Sequence, residues 1–178
     1  APGRIIVSSV ANQSGTGGEE RAGDVEVALL ELASGAVDRF TLSDALEADD
    51  HNSSALWRGP DGRYLAVYSK HSKDRLTRYR ISKNAGNISR WDVEQTFENR
   101  GGTTYSNLLH LSNSGGRPLL FNFTRTRLLD PHVLVSRDNG ATWSGGGRLL
   151  KWPKPEGAAK FSGTDGGRPY LKYASNGT

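Results

Sequence analysis

The sequence predicts an all-β fold, a β-propeller of which these residues cover about three blades and the start of another. Three observations lead there. Glycine is abundant, 22 of 178 residues, and much of it sits in turn-like clusters between short apolar runs. That composition favours many short strands over long helices. The chain also repeats itself weakly at an offset of 54: Gly62-Arg63 recurs as Gly116-Arg117, Ser82 as Ser136, and Gly86 as Gly140. Finally, Ser136-Arg137-Asp138-Asn139-Gly140-Ala141-Thr142-Trp143 matches the Asp-box pattern S-x-D-x-G-x-T-W. In that hairpin the Asp accepts turn N–H groups, the Gly supplies positive φ, and the Trp packs between strands. Asp138 is therefore expected to be architectural, not catalytic.

The repeat divides the chain into units of approximately 1–50, 51–104, 105–160 and an incomplete 161–178, all in one domain. Runs at Ile5 to Val10, Val25 to Leu32 and Val37 to Leu42 supply the first unit. The second opens with Ala55 to Trp57, turns at Gly59-Pro60-Asp61-Gly62, and continues with Tyr64 to Tyr68 and Leu76 to Ile81. The third follows the same order: Leu108 to Leu111, a turn at Asn113 to Gly116, Leu119 to Phe123, and His132 to Val135. Both close on a Gly- and Trp-containing turn and a last short run. The final unit starts at Arg168-Pro169-Tyr170-Leu171-Lys172-Tyr173 and stops at an Asn-Gly pair, a hairpin signal. So few blades leave a ring open, so the expected partner is the remaining part of the same propeller.

The formal net charge is +4 and the pI about 9.5. A basic excess favours anionic partners. No Lys/Arg run or basic stripe with interleaved aromatics is present, so an acidic glycan is expected and nucleic acid is not. Cysteine is absent, which excludes disulfides and thiolate metal sites within these residues. No apolar stretch approaches the roughly 20 residues of a membrane span. The chain starts Ala-Pro-Gly without Met, so the expectation is a removed signal or a fragment, in a secreted or periplasmic protein.

The offset of 54 also relates unlike residues: His51 falls on Tyr105, and His71 on Arg125. One of each pair precedes the first strand of its unit, and the other follows the second strand. The start of a strand and the end of its antiparallel partner lie at the same end of a hairpin. Adjacent blades would then bring His51, His71, Tyr105 and Arg125 to one funnel near the propeller axis. Singly each has an ordinary reading as a loop, solvated turn, packing aromatic or surface charge; equivalent placement in successive repeats strengthens all four. His110 and His132 lie inside strands and read as ordinary packing or exposed residues. No metal motif is present, since His51 and His71 lack an apparent third ligand.

The run Asp49-Asp50-His51-Asn52-Ser53-Ser54-Ala55-Leu56, then Pro60 to Arg63 and Tyr68-Ser69-Lys70-His71, resembles a family of BNR-repeat propellers that includes the ulvan lyases. Thr104-Tyr105-Ser106-Asn107, the strand ending at Arg125, and Arg168 to Tyr173 look like the same family, so the similarity covers roughly residues 45–178. The resemblance implies a seven-bladed propeller and β-elimination on a uronate-containing, sulfated polysaccharide. It implies His51, Tyr105, Arg125 and His71 as catalytic residues, with His51 and Tyr105 both open as base or acid. Lys70, Asn52, Arg168 and Tyr170 are the implied substrate-binding residues. No cofactor is expected within this chain; a structural zinc or calcium of the full protein would lie elsewhere. Two rival readings share the Asp-box propeller. A sialidase-like hydrolase needs an arginine triad and a Tyr/Glu pair, and neither is evident. A non-catalytic glycan-binding propeller would use the same cluster without turnover.

Overall fold

In the computed structural model, residues 3–14, 18–71, 73–112, 119–126 and 130–150 are described. They form three antiparallel sheets and no α-helix. The first sheet is three-stranded: β1 (Arg4–Val10), β2 (Val25–Glu31) and β3 (Val37–Ser43), paired in chain order. The second is four-stranded, with β4 (Ala55–Arg58), β5 (Tyr64–Tyr68), β6 (Leu76–Ile81) and β7 (Gln95–Glu98) in chain order. The third repeats that meander with β8 (Thr104–Leu111), β9 (Leu119–Arg125), β10 (Pro131–Ser136) and β11 (Ser144–Arg148). Each apolar run named from the sequence therefore becomes a strand, within a residue or two in most cases. The exception is Leu108 to Leu111: its strand starts earlier, at Thr104, and takes in Tyr105. The first unit contributes three strands where the later ones contribute four.

Strand β5 explains how the sheets stack. All of Tyr64, Leu65, Ala66, Val67 and Tyr68 are buried. Successive side chains of a strand point to opposite faces. Tyr64, Ala66 and Tyr68 accordingly join Val25, Val27, Leu29 and Leu42 of the first sheet, with Ile88 and Trp91, in one apolar cluster. Leu65 and Val67 face the other way, into a cluster with Tyr79, Leu120, Leu134 and Trp143. The second sheet is thus covered on both faces, and its central strand reads as a continuous apolar run for that reason.

The turn from Ser136 to Trp143 seats the second cluster. Asp138 Oδ1 accepts from Ser136 Oγ at 2.8 Å and from the Thr142 backbone N–H at 2.9 Å. Asp138 Oδ2 accepts from Thr142 Oγ1 at 2.5 Å, and Ser136 Oγ accepts from Gly140 N at 2.8 Å. Asn139 and Gly140 both have positive φ. Trp143 is buried edge-on to Tyr79 of the neighbouring sheet, with ring centroids 6.3 Å apart.

Candidate active site

The site forms where the second and third sheets meet, at the ends of their first hairpins. Asp49 is the N-cap of a single 3₁₀ turn, Asp50–Asn52, and its side chain accepts from the His51 backbone N–H at 3.0 Å. Such Asp caps satisfy a donor that the first turn leaves orphaned. The turn places His51 just before β4. Across the hairpin, β5 ends at Tyr68 and the chain runs through Ser69 and Lys70 to His71. Glu47 anchors this return: its Oε2 accepts from His71 N at 3.0 Å and from Asn52 Nδ2 at 3.1 Å, and its Oε1 pairs with Lys73.

In the third sheet Thr104 pairs with Arg125, so the start of β8 and the end of β9 are side by side. The register shifts between Thr104 and Asn107, which carries Tyr105 and Ser106 out of the ladder as a bulge. Tyr105 has φ 57, a left-handed conformation rare for a bulky residue. Buried Asn122 supports the irregularity. Its Oδ1 accepts from Asn107 N at 3.0 Å and its Nδ2 donates to Ser106 Oγ at 3.3 Å, replacing the lost ladder bonds. Tyr105 therefore sits within the first strand, not before it. The bulge is what re-aims its ring.

These four side chains converge. The His51 and His71 rings stack with centroids 3.9 Å apart and planes 15° apart. Tyr105 lies 4.7 Å from His51, centroid to centroid. The Arg125 guanidinium carbon sits 4.6 Å from the Tyr105 ring centroid, a cation–π distance. Arg125 Nη2 also donates to His71 Nε2 at 3.3 Å. That bond joins residues 54 apart in the chain, the equivalent positions of successive repeats. Arg125 is 7% exposed, whereas the His51 and His71 side chains are 26% and 32% exposed.

The sequence reading missed the group beneath the histidines. Asp49 Oδ1 accepts from His51 Nδ1 at 2.5 Å, and Asp49 Oδ2 from His71 Nδ1 at 2.8 Å. Burial works to raise the Asp49 carboxyl, but the His51 N–H and the two imidazoles outweigh it and hold the group at about 2. Its folded value lies below the ordinary 3.8. Its contribution to stability is thus fully present above the unfolded value and is lost as pH falls through the folded one. The difference in Tm between the wild type and Asp49→Asn reads that contribution. It should shrink on acidification between about pH 4 and 2. A difference that stays constant to pH 2 in thermal melts would contradict this.

The remaining expected residues are placed as follows. Lys70 is half-buried beside His71. Asn52 is fully buried beneath the cluster, with its amide nitrogen bonded to Glu47 and its Oδ1 without a hydrogen-bond partner. Arg168 and Tyr170 lie outside the described residues. His110 packs on Trp57, with ring centroids 5.5 Å apart. His132 lies in β10, where burial leads the lowering of its pKa.

Asp49 also supplies a third metal-type ligand that is not apparent from the sequence, since one ligand atom each from Asp49, His51 and His71 lie within 4.8 Å of one another. The geometry opposes chelation. An imidazole binds a metal in its own ring plane, at about 2.0–2.1 Å for zinc. Two nearly parallel rings stacked at 3.9 Å share no such point. A Tyr/Glu pair, not evident in the sequence, does exist: Tyr68 Oη donates to Glu94 Oε2 at 2.7 Å. But Tyr68 is 0% exposed, its hydroxyl also reaches Leu42 O, and burial drives its pKa strongly up. A phenol so placed is a structural group and a poor nucleophile.

No family model and no curated protein matches the chain. Solved structures do. The chain is similar to a polysaccharide lyase of family PL25, an ulvan lyase, with TM-score 0.62 and 17% identity over 88% of this chain and 38% of that one. It is likewise similar to a PL25 ulvan lyase bound to -[GlcA(1-4)Rha3S]-, with TM-score 0.63, 16% identity and the same coverage. The chain spans 38% of the length of these lyases, and what it shares with them is the all-β fold.

Proposed function

We propose that this chain is part of a β-propeller polysaccharide lyase that cleaves a uronate-containing, sulfated polysaccharide of the ulvan type by β-elimination. One observation carries the reading: His51, His71, Tyr105 and Arg125 meet in a single cluster, on a fold shared with ulvan lyases. The chemistry accounts for each residue type. The C5 proton of a uronate is weakly acidic because the adjacent carboxylate already bears negative charge. Arg125 would oppose that charge as it grows in the transition state. A base takes the C5 proton, the C5–H electrons form the C4=C5 double bond, and the C4–O4 bond breaks. An acid returns a proton to the departing O4. His51 Nε2 and the Tyr105 hydroxyl are the two groups for these tasks, with His71 between Arg125 and His51 to bind or orient. Lys70 and the basic balance of the chain suit the anionic substrate, and no metal enters the steps.

The test is direct. Incubating the full chain with ulvan should produce the ultraviolet absorbance of unsaturated uronate. No product from ulvan or any other uronan would overturn the lyase assignment. Binding without product, weakened by His51→Ala and Tyr105→Phe, would identify a glycan-binding module instead. Free sialic acid released from a reporter glycoside would identify a hydrolase.

A further inference from the structure

We infer that Asp49 is the positioning residue of the cluster: its two carboxylate oxygens hold both imidazoles as Nδ1–H tautomers and leave Nε2 as the accepting nitrogen of each ring. The inference deepens the lyase reading and rests on it for its catalytic consequence. The geometry argues for it at both rings. An ionised carboxylate only accepts hydrogen bonds, and a neutral imidazole has one donor and one acceptor nitrogen. Asp49 Oδ1 faces His51 Nδ1 at 2.5 Å, with the exposed Asp50 Oδ1 2.9 Å from the same nitrogen, and Asp49 Oδ2 alone faces His71 Nδ1 at 2.8 Å, so both Nδ1 atoms carry hydrogen. An independent contact agrees at His71. Arginine only donates, and Arg125 Nη2 points at His71 Nε2, so that nitrogen must accept.

The two rings are then unequal in use. His71 Nε2 is occupied by Arg125, which ties that ring to the cation. His51 Nε2 makes no hydrogen bond among the described residues, and its ring is turned toward Tyr105. It is the nitrogen left to exchange a proton with a sugar. Asp49 is more than the partner of a single imidazole, because one carboxylate serves two stacked rings and fixes their spacing as well as their tautomers.

Asparagine at this position separates that role from mere capping, because its effect is asymmetric. The Oδ1 site also accepts the His51 backbone N–H at 3.0 Å, a donor that cannot reverse. The amide oxygen of Asp49→Asn must stay there and keep accepting from His51 Nδ1. The amide NH₂ then falls opposite His71 Nδ1, which has to accept. The His71 proton moves to Nε2, where it confronts the Arg125 donor.

Long-range ¹H–¹⁵N correlation of the imidazoles in the ¹⁵N-labelled full chain, at a pH where both rings are neutral, reads this directly. In the wild type both rings should be protonated at Nδ1; in Asp49→Asn, His71 should switch to Nε2–H while His51 does not. On ulvan, kcat of the variant should fall by about a hundredfold or more, with a much smaller change in KM. A wild-type ring protonated at Nε2, or a variant with both tautomers unchanged, overturns the inference. The wild-type spectrum needs no variant to fold. Wild-type tautomers as stated with no product from any uronan would overturn the lyase reading and leave the positioning of the rings in place.

Discussion

Replacing Arg125 by alanine is expected to lower kcat/KM on a uronan by on the order of 10²–10³, the usual loss when one stabiliser of developing negative charge is removed. The structure gives the reason for a large effect. Arg125 is 7% exposed, so its charge acts in a poorly screened environment. It also contacts two further members of the cluster, the Tyr105 ring and His71 Nε2. Arg125→Lys keeps the charge but loses the planar fork that reaches His71 while lying against Tyr105. Lysine should therefore recover only a small part of the activity. Steady-state kinetics beside thermal melts separate the effects. If Arg125→Ala melts near the wild-type temperature and turns over normally, Arg125 does not oppose the uronate charge.

Much of the fold was legible because its strands are bounded by turn chemistry. Strand β5 reads as Tyr64 to Tyr68 in the sequence since a Gly-Pro-Asp-Gly turn precedes it and all five of its residues are buried. Strands with little apolar content were harder to place. β11, Ser-Gly-Gly-Gly-Arg, is exposed throughout and exists because β10 offers it an edge. β7 has only Phe97 to mark its apolar side. The start of β8 was misplaced by several residues because a bulge breaks the alternation there. Regular pairing resumes only at Asn107, while Thr104 still pairs with Arg125.

The candidate site shows the same division. The repeat offset put His71 and Arg125 at equivalent positions, and the structure bonds them to each other. The offset cannot identify residues without counterparts in the next unit. Asp49 is one: it reads as part of a polar loop, though a carboxylate two residues before a histidine, opening a short turn, was a capping signal in plain view. Glu47 is another, since its partners are two backbone N–H-bearing or amide groups and a lysine that no spacing rule relates. The Tyr68–Glu94 pair joins residues 26 apart, the end of β5 and the loop just before β7, and follows from the meander alone.

Outside the cluster a large effect is expected at Gly140, and it concerns stability. Its φ is +88, and a Cβ there would lie 2.4 Å from Leu65 Cδ2 and 3.2 Å from Leu65 Cδ1. Leu65 is 1% exposed and enclosed by Val67, Leu120, Leu134 and Trp143, so it has little room to retreat. Two penalties therefore add in Gly140→Ala: about 1 kcal/mol for alanine in a left-handed conformation, and about 1–3 kcal/mol for overpacking a dense core. Each kcal/mol lowers Tm by roughly 2–4 °C at this chain length, so a drop of roughly 4–16 °C is expected. Gly35→Ala isolates the first penalty, because Gly35 has φ +71 and nothing within 4 Å of the added carbon. Leu65→Ala on its own leaves a cavity and should cost about 2–5 kcal/mol. Combined with Gly140→Ala it removes the clash, so the double variant should be more stable than the two single losses summed. Strict additivity, or a Gly140→Ala melt no lower than that of Gly35→Ala, would show that Leu65 does not pack against this turn, and the seating of the second sheet on the third would need another account.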